Sequence, residues 1–115
     1  MDLLDSLAPQ RAANGRFSGT VARDTLGRPG DQPEVTLIDC GLGSMTEEHR
    51  HPGGQVLIAV TGSLHIVGED GTEHQLRPGE GLRTAPGERH CHGAAKGSEA
   101  TFVAVTWGGT AWTNP

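Results

Sequence analysis

Two histidine pairs of the form His-x-His stand about 40 residues apart in a chain that holds six histidines. The pairs are His49/His51 and His90/His92. Random placement of six histidines in this length would give about a quarter of one such pair, so two pairs are a signal. Because residues i and i+2 of a strand face the same side, each pair directs two imidazoles toward one place. The pattern predicts a β-barrel that lines its interior with metal ligands.

A fourth ligand is predicted beyond the first pair. Gln55 follows His51 after the turn Pro52-Gly53-Gly54, which can bring an amide oxygen toward the same point. We therefore predict a metal site formed by His49, His51, Gln55 and His90. The alternative for Gln55 is a residue at the start of a strand whose side chain only hydrogen-bonds the turn.

The residues around the first pair form a longer pattern. Gly43, five residues, His49-Arg50-His51, three residues, Gln55, six residues and Gly62 follow one another. This order resembles the first signature of the cupin superfamily. Most members of that superfamily have glutamate where this chain has Gln55.

The second pair lies in a similar context. Gly79, five residues, Ala85-Pro86-Gly87, two residues and His90 resemble the second cupin signature, with Ala85 in place of its usual first proline. Ala94 stands where an asparagine can follow that signature. The resemblance extends from Gly43 to Ala94 and implies an all-β fold, the double-stranded β-helix or jelly-roll barrel.

Length and composition agree with this fold. The chain has 115 residues, 18 glycines, 7 prolines and four aromatic residues, which suits one domain of many short strands joined by tight turns. We expect about nine or ten strands, with a hairpin at Glu69-Asp70-Gly71, one strand at Phe17 to Val21 and a strand at Ala100 to Thr106 that closes the barrel. An ordinary β-sandwich with surface histidines is the alternative, but it leaves the paired spacing unexplained.

Charge and hydropathy limit the partners. The net charge is −5 and no run of lysine or arginine is present, so we expect no nucleic-acid partner. No segment has the ~20 apolar residues of a membrane span. The start lacks the features of a secretory signal, which predicts a cytoplasmic location. The expected partners are a small-molecule substrate and a second copy of the chain.

Residues 1 to 14 are predicted to form an arm ahead of a single barrel domain over residues 15 to 115. Leu3, Leu4 and Leu7 could lie on one side of a short helical turn before Pro9. A barrel of this size has little room to bury these leucines, and cupins commonly pair through sheet edges. We therefore expect a homodimer.

The two cysteines, Cys40 and Cys91, are expected to be reduced thiols in that location. Strand parity turns Cys91 away from the face of its histidine neighbours. We interpret Cys91 as a small buried apolar filler rather than a ligand. His65 and His74 lie outside both motifs and are predicted to be surface residues.

The predicted donor set favours Lewis-acid chemistry. Three imidazoles and one amide are neutral, so a divalent ion would keep its full charge, whereas a glutamate at position 55 would reduce it. Four protein ligands on a six-coordinate ion also leave two positions open. Imidazole suits Zn, Fe, Ni and Cu, and the amide oxygen tolerates Mn. The cupin resemblance favours Mn or Fe as the cofactor.

His92 is the predicted catalytic residue, because it shares a face with His90 and its imidazole can act as a general base or acid near neutral pH. The segment His90-Cys91-His92-Gly93-Ala94, together with Gln55, resembles small bacterial cupins related to hydroxynitrile lyases. Those enzymes carry a further histidine where this chain has Phe102, and an apolar ring cannot shuttle a proton. Lys96 could supply a cationic group but is interpreted as a solvated loop residue.

Three functions follow as hypotheses. The first is a lyase acting on a small hydroxyl-bearing substrate, as the resemblance to hydroxynitrile lyases implies. The second is a metal-dependent dioxygenase, and the third is a barrel that binds a metal or ligand without catalysis. The expected pocket is small and partly apolar, with walls formed by Leu57, Ala59, Phe102 and Ala104.

Overall fold

Strands are the only regular elements that the computed structural model contains in its described residues, which are 1–6, 10–11 (main chain only) and 16–115. They are, in chain order, β1 (Gln10–Arg11), β2 (Val21–Leu26), β3 (Glu34–Cys40), β4 (His49–Arg50), β5 (Gln55–Gly62), β6 (Leu64–Gly68), β7 (Glu73–Leu76), β8 (Gly81–Thr84), β9 (His90–Ala94), β10 (Ala100–Thr106) and β11 (Ala111–Trp112). No helix in these ranges is long and apolar enough to cross a membrane.

The strands form two antiparallel sheets that face each other. One sheet has six strands in the order β1-β2-β3-β10-β5-β8, and the other has five in the order β11-β4-β9-β6-β7. Neighbours in space are often distant in sequence, as where β3 and β5 flank β10. The all-β jelly-roll fold expected from the sequence is confirmed.

Side chains alternate between the interior and the surface along the central strands. In β5 Leu57 and Ala59 are buried while Ile58 and Val60 are 38% and 43% exposed. The apolar core lies between the sheets and joins side chains from both of them: Val21, Ile38, Cys40, Leu57, Ala59, Leu64, Ile66, Leu76, Ala94, Ala100, Phe102 and Ala104. Because one face of each sheet is buried, a one-residue slip in register would expose this set.

The predicted hairpin at Glu69-Asp70-Gly71 joins β6 to β7 as expected. Gly71 has a positive φ of 83°, and the Asp70 carboxylate accepts a hydrogen bond from the main-chain N–H of Thr72 at 3.0 Å. A carboxylate and a glycine at these positions favour the turn, because the first satisfies a free N–H and the second adopts the left-handed conformation without strain.

The strand predicted at Phe17 to Val21 is wrong in its bounds. Phe17 makes only an isolated bridge to Thr46, and β2 begins at Val21. The turn conformation of Ser18 and Gly19 interrupts the extended chain. Phe17 and Val21, at the two ends of this segment, therefore do not belong to one strand: Phe17 bridges Thr46, whereas Val21 begins β2.

The first residues run alongside β2 rather than forming a helical turn. Ser6 bridges Leu26, and Gln10–Arg11 pair with β2. The helical turn expected around Leu3 and Leu4 is therefore wrong for residues 1–6, where pairing with an open strand edge satisfies main-chain groups instead. Leu3 and Leu4 are exposed, and the expected contributions of Leu7 and Pro9 lie outside the described residues. The arm boundary and the homodimer stay predictions.

Candidate metal centre

Three buried imidazoles converge between β4 and β9. His49 and His90 are paired across the two strands, and His51 follows β4 directly. Their ring centroids are 4.5 Å apart for His49 and His90, 4.9 Å for His49 and His51, and 5.4 Å for His51 and His90. One ring nitrogen from each lies within 4.8 Å of the others, so the cluster could hold a metal ion.

The same kind of hydrogen bond sets the orientation of the His49, His51 and His90 rings. In all three, Nδ1 lies against a main-chain carbonyl oxygen: His49 with Glu47 at 2.8 Å, His51 with Gly109 at 2.8 Å and His90 with Glu88 at 3.0 Å. A carbonyl only accepts hydrogen bonds, so Nδ1 carries the proton and Nε2 carries the lone pair. Rings held in this tautomer present Nε2 to a metal, and the carbonyl partner raises their basicity as ligands.

Gln55 completes the cluster from the other sheet. Gly54, with a φ of 85°, turns the chain into β5, and the Gln55 Nε2 donates to Thr106 Oγ1 at 3.0 Å. This bond directs Oε1 toward the histidines, where it lies 3.0 Å from His90 Nε2. The predicted turn therefore brings the amide oxygen to the same point as the imidazoles.

The donor atoms fit a cation. With Nδ1 of His90 protonated, its Nε2 and the Gln55 oxygen are two lone-pair atoms that lie 3.0 Å apart. His51 Nε2 is buried and has no hydrogen-bond partner among the described residues. A buried polar atom without a partner costs free energy, and a shared cation between such atoms would remove that cost. The residues present therefore fit a divalent metal ion.

Burial keeps these imidazoles neutral. It lowers the pKa of His49 from 6.5 to about 3, opposed by the bond to Glu47 and assisted by the neighbouring rings of His90 and His51. Burial is also the main cause that lowers the pKa of His51 and of His90. A metal binds neutral imidazole, so these shifts favour the form that can act as a ligand.

His92 lies beside the three-histidine cluster rather than within it. Its ring is 5.1 Å from His49 and 5.5 Å from His90, and the edge of Phe102 closes its other side at 5.3 Å. Thr46 holds the main chain of His92 through bonds of 3.1 and 2.9 Å. Both ring nitrogens are buried without a hydrogen-bond partner in the described structure. Burial, and then the neighbouring imidazoles, lower the pKa of His92 well below 6.5.

The glycine after His92 has a packing reason. A Cβ on Gly93 would collide with the main-chain oxygen of Ser44 and lie 2.7 Å from the Cα of Met45. Met45 and Gly93 form a bridge there, and the adjacent Ala94 donates its N–H to Ser44 at 2.9 Å. Only glycine allows this close approach, which fixes the depth of the His92 strand.

A cavity of about 140 Å³ opens beside the cluster. His49, His51, Gln55 and His92 line it together with residues from β2, β3 and β11. Of the four apolar walls expected from the sequence, Ala104 lines this cavity. The expectation is wrong for Leu57, Ala59 and Phe102, which belong to the core. They face inward as predicted, but at a different depth of the barrel.

Several residues that line the cavity lie outside the two histidine motifs. Arg23 of β2, Glu34 and Thr36 of β3, Phe17, and Trp112 of β11 line the cavity. Trp112 also packs against His49, with ring centroids 4.9 Å apart. These residues come from distant segments, and alternation within β2 and β3 is the only sequence signal that could have placed any of them.

Other candidates lie away from the site. Lys96 is exposed, as expected of a solvated loop residue. Cys91 is half-buried rather than buried, because it lies on the outer face of β9, with its Sγ 3.9 Å from the main-chain oxygen of Val67 on the neighbouring strand. His65 pairs with Glu73 at 2.9 Å, and His74 is exposed. None of these four side chains lines the cavity or belongs to the three-histidine cluster.

Comparison with known proteins assigns the family. Residues 38–106 match the family model described as a cupin domain. The (R)-mandelonitrile lyase of Granulicella tundricola is 35% identical over 91 residues, which cover 77% of this chain and 70% of that protein.

Solved structures share the fold. A cupin-like protein from Thermotoga maritima has a TM-score of 0.83 and 24% identity, covering 97% of this chain and 88% of that one. A predicted oxalate decarboxylase from Thermotoga maritima has a TM-score of 0.77 and 19% identity, covering 92% and 98%. The polyketide cyclase RemF from Streptomyces resistomycificus has a TM-score of 0.77 and 16% identity, covering 100% and 87%. With the family match and the 35% identical relative, the histidine spacing, the two-sheet barrel and the cluster inside it have one explanation, which is that this chain belongs to the cupin family.

Proposed function

We propose that this chain is a metal-dependent enzyme that acts as a Lewis-acid lyase on a small hydroxyl-bearing substrate. The observation that carries the proposal is the convergence of three buried imidazoles whose Nδ1 atoms are all bonded to main-chain carbonyls. Nε2 of His49, His51 and His90 would hold one divalent transition metal together with Gln55 Oε1. Mn or Fe is our first choice, and Zn, Ni and Cu are compatible with the same donors.

When bound, a divalent ion would supply Lewis acidity that lowers the pKa of a substrate hydroxyl. The four side chains assigned as ligands are neutral and so do not offset the charge of that ion. The hydrogen bond from Gln55 to Thr106 keeps the amide oxygen, rather than the amide nitrogen, on the side of the imidazoles. Gln55 thereby contributes a donor without contributing a negative charge.

His92 accepts the hydroxyl proton in this proposal. Its ring lines the cavity, and neither ring nitrogen is engaged by a described protein group. Burial and the neighbouring imidazoles hold its pKa well below the ordinary value, so the ring is neutral at pH 7 and has a lone pair available. Thr46 fixes the main chain of His92 and Phe102 fixes its ring, which positions the base for proton transfer.

Similarity to an (R)-mandelonitrile lyase supports the lyase reaction. Cleavage of a cyanohydrin needs a Lewis acid at its hydroxyl and a base for the hydroxyl proton, the two roles assigned above. Phe102 is a departure from the pattern of the hydroxynitrile lyases that the sequence resembles, which implies a histidine at this position. The Phe102 ring is fully buried against His92. This ring cannot transfer a proton. We therefore propose a small hydroxyl-bearing substrate without restricting it to cyanohydrins.

The experiment is a substrate screen on protein of known metal content, with His92→Ala as the diagnostic variant. We expect His92→Ala to retain metal and to lose ~10²-fold or more in rate, the usual effect of removing a general base. His74→Ala removes an exposed histidine and serves as the matched control. A His92→Ala variant with the wild-type rate would contradict the proposed base.

Oxygen dependence distinguishes the lyase from a dioxygenase. The lyase should keep its rate in an anaerobic assay, because its reaction consumes no O₂. Turnover that stops without O₂ would replace the proposal with an oxygenase. If the protein neither converts nor binds any compound of the screen, the result would favour a metal-binding barrel without catalysis.

A further inference from the structure

Arg23 projects from the inner face of β2 into the cavity beside the histidines. The flanking residues at i−2 and i+2 establish this face, because Val21 is buried in the core and Thr25 Oγ1 lies 2.9 Å from Thr36 Oγ1 of β3. Alternation along a strand puts Arg23 on the same side as both of them. Its side chain is 29% exposed and lines the cavity together with Thr36 and His92.

The charge of Arg23 is only partly offset by its neighbour. Arg23 Nη2 lies 3.9 Å from Glu34 Oε1, which is too long for a hydrogen bond. Glu34 is 46% exposed at its side chain, and its Oε1 also accepts a hydrogen bond from Thr36 at 3.3 Å. No other carboxylate in the described ranges lies within 4.0 Å of Arg23. A guanidinium has five N–H donors, and the long contact with Glu34 satisfies none of them with a hydrogen bond. Arg23 lines the cavity, so its donors are available to a ligand there.

The remaining described walls of the cavity carry no full charge. They are neutral imidazoles, an amide, hydroxyls, apolar side chains and aromatic rings. The formal charges of Arg23 and Glu34 sum to zero, although the two groups are not in hydrogen-bond contact. A divalent ion held by neutral ligands would therefore leave the loaded cavity with a net positive charge of about two. Such a cavity attracts an anion, and a planar guanidinium matches a carboxylate through two parallel hydrogen bonds.

We propose that Arg23 is a specificity-determining residue that binds a carboxylate, and that the substrate is a small hydroxy acid. The inference rests on the proposed function, since the hydroxyl is the end assigned to the metal and His92. A cavity of about 140 Å³ is smaller than the ~300–1,000 Å³ of pockets for drug-sized ligands. It suits an acid of a few carbon atoms. A neutral nitrile would bring no partner for the guanidinium.

Calorimetric titration with lactate and lactamide tests the role of Arg23. The two probes have the same shape and the same hydroxyl, and they differ in the charge of the carboxyl group. Metal-loaded wild type should bind lactate at least about 10-fold more tightly than lactamide, and Arg23→Gln should reduce the ratio to about 2-fold or less. Arg77→Gln removes an exposed arginine outside the cavity and should keep the wild-type ratio.

A second variant works in the opposite direction and does not depend on the folding of Arg23→Gln. Glu34→Gln removes the competing carboxylate, so lactate should bind several-fold more tightly than it binds wild type. Weaker or unchanged binding in Glu34→Gln would overturn the inference. A lactate preference that survives in Arg23→Gln would also overturn it, because the carboxylate would then be held by the metal.

Metal content, measured on the same samples, separates this inference from the proposed function. Wild type that binds no metal, but prefers lactate in an Arg23-dependent way, would refute the metal-dependent reaction and support the carboxylate site. Wild type that binds metal and shows no difference between Arg23→Gln and Arg77→Gln would leave the metal centre in place and refute the carboxylate site.

Discussion

The two ends of the barrel interior differ in chemistry, although the same strands build both. Along β3, β5, β9 and β10 the inward side chains change from polar to apolar with distance from the cavity. We call the apolar part, which contains the fully buried Leu57, Leu64 and Phe102, the closed end, and the part beside the histidines the cavity end. The polar positions are Thr36, Gln55, His90, His92 and Thr106, and the apolar ones are Ile38, Cys40, Leu57, Ala59, Ala94, Ala100, Phe102 and Ala104. Because β5 and β10 run antiparallel, the inward residues change from polar to apolar along the sequence of β5 and from apolar to polar along that of β10.

The difference separates stability from function. At the closed end Leu57, Leu64 and Phe102 have no exposed surface, and burial of such side chains drives folding. At the cavity end His51 and His92 have buried ring nitrogens without partners among the described residues. An unpaired buried polar atom costs ~1–3 kcal/mol. This cost at the cavity end fits the proposed binding site, and the apolar burial at the closed end offsets it.

Loss of a proposed ligand should have the largest effect of all. We expect His49→Ala, His51→Ala or His90→Ala each to lower the metal content from about one ion per chain to nearly none, because the remaining donors cannot hold the ion alone. Elemental analysis of purified variants measures this. His74→Ala is the matched control. Full occupancy in all three variants would show that the cluster is not the metal site.

The closed end should respond to Phe102→Ala in the opposite way. Truncating this fully buried ring should lower the free energy of unfolding by about 3–5 kcal/mol, since it removes apolar burial and leaves a cavity. Metal should be retained, because no proposed ligand changes. Denaturant unfolding gives the free energy, and Val103→Ala on the outer face of the same strand is the control. A decrease of less than about 1 kcal/mol in the free energy of unfolding would contradict the assignment of the closed end as the source of stability.

The faces of these strands could be predicted from the sequence because strand parity is a local property. The spacing of each histidine pair places two rings on one side, and the alternation of Leu57 and Ala59 with Ile58 and Val60 assigns the core face of β5. The turn before Gln55 could be predicted from its glycines. These local rules account for the cluster formed by the histidines and the amide.

Two features could not be predicted from the sequence: the depth of each inward side chain along the barrel, and the distant segments that contact the cavity. Both depend on how distant segments pack. Parity states that Leu57 and Phe102 face inward, but it does not state at which end of the barrel they lie. Arg23 and Trp112 reach the cavity from β2 and β11, and neither carries a local motif that marks it as a cavity residue. The edge pairing of Ser6 with Leu26 likewise depends on a strand far along the chain.

Acid should destabilise the metal-free protein through the cavity end. The pKa of His49 falls from 6.5 to about 3 on folding, and the pKa values of His51, His90 and His92 also fall. Between about pH 6.5 and pH 3 the unfolded chain therefore binds more protons than the folded one. Stability should fall as the pH falls, by up to about 1.4 kcal/mol per pH unit for each such histidine.

Denaturant midpoints of chelated protein at pH 7, 6 and 5 measure this effect. His49→Leu, which removes one of the buried titrating groups, should give a shallower dependence, whereas His74→Ala should keep the wild-type slope. A midpoint that does not change between pH 7 and pH 5 would mean that these histidines are accessible to protons in the folded state.

The smallest expected effect concerns the two thiols, which test whether the closed end is sealed. Cys40 is 3% exposed on the inner face of β3, and burial raises its pKa from 9.0 to about 11. At pH 8 only about one molecule in a thousand would carry the Cys40 thiolate, the form that reacts.

Cys91 lies on the outer face of β9 and is half-buried, and burial raises its pKa as well. We therefore expect a thiol reagent to titrate one slow thiol per folded chain and a second only after unfolding in guanidinium, with Cys91→Ser abolishing the reaction of the folded protein. A cavity of about 370 Å³ outside the barrel is bordered by Cys40, Val21 and Ala100, so a folded Cys91→Ser variant that still reacts would show that reagent reaches the buried Cys40 thiol from that side.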